Sequence, residues 1–369
     1  MVNRIFNFSP GPAMLPLAAL EEAQRDLLAL PGVGISILEI SHRSKAFEAI
    51  IGQAEANLRT LLAIPDNYRV LFLQGGALLQ FAMVPMSFLR NTGKSADYIV
   101  SGTWSKKAQE EAKTQGKVHT AWDGKSGNYN RLPQQSELEL DPDAAYVYTA
   151  SNETIQGVQF SREPDVGGVP LVCDSSSDFL SRPVPIDRYG ILFACAQKNA
   201  GPAGVTIVII RDDLVQRSPA DLPSMLNYRL LAENKSLLNT PPVFGVYMVK
   251  LVTDWLLKEV GGLEKMAAIN RQKAQMLYEA IDHSGGFYQR HAEPASRSMM
   301  NVTFRLPETA LDEKFLGEAK ALGLVELKGH RSVGGFRASI YNAMPMEGVV
   351  TLRDFMLEFS RKYGRAGSP

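Results

Sequence analysis

The chain is 369 residues long, enough for one large domain and a smaller one. Its 39 basic and 39 acidic side chains cancel, so nothing in the net charge points to a nucleic acid or an anionic membrane as partner. The sequence has no run of about 18 apolar residues and no apolar core in the opening MVNRIFNFSPGPAML, so neither a membrane span nor a signal peptide is expected and the cytoplasm is the default compartment.

Asn7 to Pro12 is too polar and turn-rich for a helix and reads as an ordered arm or a substrate-side loop. Pro16 opens a helix to about Leu30, with Leu17, Leu20, Leu27 and Leu28 sharing a face. A glycine-broken stretch then ends in Ser41-His42-Arg43-Ser44, ahead of a second helix in which Phe47, Ile50, Ile51, Ala54, Leu58 and Leu61 keep helical spacing. A His-Arg pair at a helix start suits an anion, and equally a solvated cap. Tyr68 to Leu73 is a short strand that runs through Gln74-Gly75-Gly76-Ala77 into a helix, the geometry that cradles phosphate on backbone amides. The glycines match neither the dinucleotide fingerprint nor the P-loop.

Strand and helix keep alternating. Asp97 to Val100 is a strand, Ser101-Gly102-Thr103-Trp104-Ser105 opens a helix to about Gln115, and Val118 to Trp122 is the next strand. Trp104 at that junction either stacks on a flat ligand ring or packs the sheet edge. Ala145 to Ala150 ends in the polar run Ser151-Asn152-Glu153-Thr154, and Val169 to Cys173 ends in Asp174. Such a carboxylate either sits under a pyridine nitrogen or caps the following serines. In ILFACAQKNAGPAGVTIVII, Ile191 to Ile210, two apolar runs flank a turn carrying Lys198. A lysine at a core edge loses hydration and becomes a candidate carbonyl nucleophile, unless its ammonium reaches water while its stem packs. The two cysteines, Cys173 and Cys195, fall in expected buried strands and read as small core hydrophobes without metal-ligand spacing.

About seven strands separated mostly by helices or crossovers predict a mostly parallel sheet with covered faces. After Asn239-Thr240-Pro241-Pro242 come two long helices divided by Gly261-Gly262. From about Ser284 the pattern becomes a compact α+β unit, ending in a helix from about Glu347 to Tyr363. Its densest cationic stretch is His330-Arg331, with Arg337 close behind. These suit a carboxylate or phosphate, or form a solvated turn.

Together NFSPGP, SHRSKAF, QGGALLQFAMVPM, SGTWSKKA, SNETIQG, DSSSDFLSRP, AQKNAGPAG, NTPP and GHRSVGGFRASIYNA resemble, in order and spacing, the phosphoserine aminotransferase family of the fold type I (class V) pyridoxal phosphate enzymes. The resemblance implies an α/β fold: an arm over residues 1–15 packing with the small domain and active site, a large domain over 16–260 built on a mostly parallel seven-stranded sheet, and a smaller α+β domain over 261–369. It implies pyridoxal 5'-phosphate as cofactor and no metal. Lys198 then corresponds to the Schiff-base lysine and proton carrier, Asp174 to the pyridinium partner, and Trp104 to the ring that stacks on the cofactor. Thr154 is implied beside the phenolate oxygen. Gly76, Ala77, Leu78 and Gln197 are implied around the cofactor phosphate, joined by Asn239 and Thr240 from the other subunit of a homodimer. Arg337 is implied as the α-carboxylate clamp. His42, Arg43, His330 and Arg331 would read the distal phosphate or carboxylate, the first two across the dimer, with Ser9 beside the substrate.

One position departs from the family. Its glycine loop often offers a polar side chain where this chain has Leu78, and losing a charge-assisted donor costs about 1–3 kcal/mol. The implied reaction is ping-pong exchange of an amino group between 3-phosphoserine and 2-oxoglutarate, giving 3-phosphohydroxypyruvate and glutamate, in serine biosynthesis. 4-Phosphohydroxy-threonine, of pyridoxine biosynthesis, is a candidate second substrate. Three alternatives stay open: another class V aminotransferase of small or dicarboxylic substrates, a cysteine desulfurase, disfavoured because both cysteines fall in core strands, and a non-catalytic anion- or nucleotide-binding α/β protein.

Overall fold

The computed structural model describes residues 4–364, so residues 1–3 of the expected arm and 365–369 of the expected C-terminal domain lie outside the described residues. Runs rich in β-branched and aromatic residues form β1 (Tyr68–Leu73), β2 (Ser95–Val100), β3 (Lys117–Asp123), β4 (Val147–Ala150), β5 (Leu171–Asp174), β6 (Ile191–Cys195) and β7 (Thr206–Arg211). These make one sheet in the order β1-β7-β6-β5-β4-β2-β3. Only β7 runs antiparallel to its neighbours, β1 and β6, so the sheet is mostly parallel, as the alternation of strands and helices predicts.

Successive side chains leave a strand on opposite faces, so each strand feeds two cores. Phe72, Leu192, Ala194, Ile207 and Ile209 pack on the side of helices α1 (Leu17–Asp26), α2 (Lys45–Leu62) and α5 (Val243–Trp255). Leu71, Tyr148, Phe193, Val208 and Ile210 pack on the side of α3 (Gly76–Phe88) and α4 (Thr103–Ala112). Among the described residues no helix is long and apolar enough to cross a membrane.

The first helix departs from expectation. It ends at Asp26 rather than near Leu30, and Leu17 and Leu28 are 44% and 90% exposed. Its buried face is Ala19, Ala23 and Asp26, whose Oδ2 accepts the Tyr247 hydroxyl of α5 at 2.6 Å. Small side chains let the two helices approach, so Leu17 and Leu28 are left outside while Leu20 and Leu27 pack half-buried against the core. α4 likewise stops at Ala112, short of Gln115.

Residues after α5 build most of a third core. Helix α6 (Leu263–Asp282) spans two cores, with Leu263 and Met266 against the large sheet's core and Ala274, Leu277 and Ile281 in the C-terminal one. Strands β8 (Gln289–Arg290), β9 (Asn301–Arg305) and β10 (Phe336–Ser339) form an antiparallel sheet in the order β8-β9-β10. Phe304, Phe315, Phe336, Phe355 and Phe359 fill the space between it and α7 (Met346–Tyr363). The arm joins this unit: Phe6–Asn7 pairs in parallel with Leu324–Val325, and Phe8 is fully buried in the aromatic core.

Lys273 on α6 is fully buried, and its Nζ donates to the carbonyls of Ile340, Tyr341, Asn342 and Met344 at 2.9, 2.8, 3.3 and 3.2 Å. Burial pushes its ammonium down to about 7, while the four carbonyls favour the charged form. The lysine ties the chain leaving β10 to the helix beneath it. Lys273→Met strands those carbonyls without a donor, so we expect a loss of about 1–3 kcal/mol, read as a lower urea midpoint. An unchanged midpoint would remove the clamp from the list of stabilising contacts.

Candidate active site

The carboxyl ends of β4, β5 and β6 lie side by side, where open α/β sheets gather functional groups. Asp174 is the last residue of β5, and Lys198 sits in the turn between β6 and β7. Lys198 Nζ donates to Thr154 Oγ1 at 2.7 Å. Asp174 Oδ1 accepts the Ser176 amide at 2.9 Å, so it caps the serine turn while also facing the cavity. Burial pushes its carboxyl up, opposed by Ser176 and by the Lys198 charge. The cavity holds about 200 Å³ and is lined by Trp104, Thr154, Asp174, Cys195, Gln197 and Lys198 together with the glycine turn.

Gly75 and Gly76 have φ of +87° and +65°, which swings the chain from β1 directly into α3 and aims the first amides of the helix at the cavity. Gly76 N–H donates to Thr206 Oγ1 at 2.9 Å and Ala77 N–H to Cys195 Sγ at 3.0 Å, both neutral acceptors. Leu78 also lines the cavity and is 57% exposed. Cys195 keeps the buried core place expected of it and also lines the cavity, ending β6 against the helix start.

Arg337 reaches the site from β10. Strand alternation turns Phe336 and Ala338 into the aromatic core and Arg337 away from it, towards Thr154, whose carbonyl accepts Nη1 at 3.4 Å. Arg337 is 6% exposed and stands outside the cavity's lining, its Nε is buried without a partner, and burial pushes its pKa down. His330 bonds Ser332 Oγ at 2.7 Å, and burial, Arg337, Arg331 and Lys107 hold it below the usual histidine range. Arg331 is exposed. Lys107, whose Nζ lies 4.7 Å from the centre of the Trp104 ring, extends this cationic group. The arm borders the same turn: Ala13 N–H donates to the Gln197 carbonyl at 2.9 Å, and Ser9 Oγ accepts the Gly11 amide at 3.4 Å, though Ser9 does not line the cavity.

The remaining expected site residues stand apart. His42 and Arg43 line a separate groove of about 820 Å³ with Arg69 and Lys235. Asn239 Nδ2 donates to Gln74 Oε1 at 3.0 Å, and Thr240 is exposed; neither lines the cavity. Sequence reasoning gave Cys195, Lys107 and Glu153 no place in the site. Lys107 lies three residues past Trp104, hence on the same helical face, a spacing that could have flagged it.

An amine, a buried carboxyl, an indole face and helix-start amides surround one cavity, and an orphaned guanidinium nitrogen stands behind its Thr154 wall. That donor set fits a phosphorylated pyridine aldehyde together with a carboxylate-bearing substrate. A Cβ at Gly75 would lie 2.5 Å from Leu79 Cδ2, at a φ that side chains rarely adopt. Gly75→Ala is expected to cost about 1–3 kcal/mol, read as a lower thermal midpoint; an unchanged midpoint would show that the turn tolerates a side chain.

Residues 5–352 match the family model for class-V aminotransferases. A phosphoserine aminotransferase of Rhodopirellula baltica is 52% identical over 361 residues, spanning 98% of this chain and 96% of that protein. One from Desulfosudis oleivorans is 54% identical over 365 residues, spanning 99% and 100%. The solved structure of a phosphoserine aminotransferase from Bacillus circulans subsp. alkalophilus superposes with a TM-score of 0.95 at 50% identity, covering 98% of this chain and 99% of that one. A PLP-bound phosphoserine aminotransferase from Trichomonas vaginalis superposes with a TM-score of 0.90 at 41% identity, covering 96% and 99%. The fold, the helix-start turn and the full-length match agree: the chain belongs to the class-V aminotransferase family.

Proposed function

We propose that the protein exchanges an amino group between 3-phosphoserine and 2-oxoglutarate, giving 3-phosphohydroxypyruvate and glutamate, with pyridoxal 5'-phosphate held in the cavity around Lys198. The observation that carries this is Arg337, a buried guanidinium with an unpartnered Nε, set against the same Thr154 that holds the Lys198 amine. A buried cation without an acid calls for an anion from the ligand, and a fork-shaped one suits a carboxylate. Both amino acids carry an α-carboxylate beside the carbon that reacts.

Each residue then has a task. When bound, the cofactor supplies an electron sink for the pair left at the substrate Cα. Lys198 Nζ would move the proton from that carbon to C4′ of the cofactor in the first half of the exchange and the opposite way in the second, with Thr154 Oγ1 fixing where the amine waits. Asp174 would keep a ring nitrogen protonated, and Trp104 would wall the cavity beside the ring and exclude water. The amides of Gly76, Ala77 and Leu78, with Gln197, take the cofactor phosphate, whose charge outbids the neutral Thr206 and Cys195 acceptors. Arg337 holds the α-carboxylate, His330 and Arg331 read the distal group, and Ser9 stands nearby. In a homodimer, His42, Arg43, Asn239 and Thr240 would complete the site of the other subunit. The cytoplasm, a role in serine biosynthesis, 4-phosphohydroxy-threonine as second substrate, and a division into arm, large domain (16–260) and small domain (261–369) belong to the same proposal.

The test follows the cofactor's absorbance while the protein loaded with pyridoxal phosphate meets glutamate, phosphoserine or serine. Glutamate and phosphoserine should each convert it, and serine poorly. Arg337→Ala should lower kcat/KM for both good substrates by about 10- to 100-fold, the worth of a charged hydrogen bond. Arg331→Ala should act mainly on recognition of the distal group. Equal reaction with serine and phosphoserine would overturn phosphate reading, and no spectral change with any of the three would overturn the reaction.

His330 adds a pH dependence. Free, it is held below the histidine range by burial and by the surrounding cations; a bound phosphate dianion reverses the sign of its surroundings and raises it. Binding therefore takes up a proton, and affinity for phosphoserine should fall as pH rises through the bound-state value. The substrate phosphate's own ionisation works the other way in every variant, so the measurement is the difference between the parent protein and His330→Gln in KM from about pH 5 to 8. Parallel profiles would remove His330 from phosphate recognition.

A further inference from the structure

Glu153 has no place in the chemistry above, yet it is fully buried one residue before Thr154. Its Oε2 accepts the Trp104 amide at 3.0 Å, and its Oε1 accepts the Ser105 amide at 2.8 Å and the Ser105 hydroxyl at 2.7 Å. Ser105 Oγ accepts the amides of Ser101 and Gly102 at 2.9 and 3.0 Å, and Gln156 Oε1 accepts that of Thr103 at 3.3 Å. Every amide from Ser101 to Ser105 is thus held by Ser105 itself or by the segment from Glu153 to Gln156.

The reason lies at the start of α4. Its N-cap is Gly102, which has no side chain to satisfy the free amides of the first turn. A carboxylate from another part of the chain does so, where the helix dipole also favours negative charge. The fit is tight, since a Cβ at Gly102 would lie 2.5 Å from Glu153 Cδ. Trp104 sits in that first turn, with its ring centre 5.9 Å from Lys198 Nζ.

We propose that Glu153 is a positioning residue that fixes Trp104 as the wall of the cofactor cavity by capping α4 from across the site. This rests on the pyridoxal phosphate reading of the cavity.

The test is the equilibrium affinity of the cofactor-free protein for pyridoxal phosphate, by dialysis, for Glu153→Ala and Glu153→Gln, each with Trp104 present and with Trp104→Ala. With Trp104 present, E153A should weaken binding by about tenfold or more, the loss of a charged hydrogen bond, and E153Q by less because it keeps one acceptor for the helix amides. With Trp104→Ala, the E153 variants should add less than about twofold, because the residue they act through is gone. If E153A does not fold, the E153Q pair gives the same comparison. Equal losses in both backgrounds, or unchanged affinity in E153A, would overturn this proposal alone. No binding of pyridoxal phosphate by the unaltered protein would overturn the cofactor reading and this proposal together.

Discussion

Arg337 holds its guanidinium in a nearly dry setting without an acid beside it, and desolvating an ion in this way costs several kcal/mol until a ligand answers it. Much of the C-terminal unit sustains that cost. The residues on either side, Phe336 and Ala338, are anchored in a dense aromatic core, so β10 cannot rotate to expose the arginine. The segment that follows is bound to α6 through Lys273 and its four carbonyls. The site depends on charge left unanswered, and packing elsewhere keeps it so.

The large sheet contributes through its one reversed strand. Because β7 runs antiparallel to β6, the two are joined by a turn with no crossover helix between them. Lys198 rides on that turn at the end of the sheet where Asp174 and Thr154 also emerge. Thr206, the first residue of β7, comes back near enough to accept the Gly76 amide, so a single hairpin supports both the amine and the helix-start turn.

Much of this was legible in the sequence because it obeys local rules. Tyr68–Leu73 was read with its observed bounds, and Lys198 and Asp174 were placed at strand ends, because apolar runs punctuated by glycine mark buried strands. What escaped is what only tertiary contact decides. Spacing on the first helix favours four leucines, of which Leu20 and Leu27 do pack half-buried, whereas close approach to α5 gives the fully buried positions to alanines and an aspartate bonded to Tyr247. Nothing local marks Lys273 as buried, because its four acceptors lie far along the chain. Glu153 was hidden for the same reason, since a glycine N-cap gives no hint that a carboxylate from a later strand will cap the helix. The resemblance to a known family supplied roles; it could not supply those contacts.

The arm carries a consequence for how the protein is made. Phe6–Asn7 completes its pairing only with Leu324–Val325, and Phe8 enters a core built from α6, β9, β10 and α7. A ribosome emits these residues long before their partners, which lie far along the chain. While the intervening chain is being synthesised, an apolar, strand-forming segment stands without its acceptor, open to proteases and to mispairing. Its docking, which also brings Ala13 onto the Lys198 turn, must wait for the C-terminal unit. A nascent chain can thus finish its large sheet well before it finishes its active site.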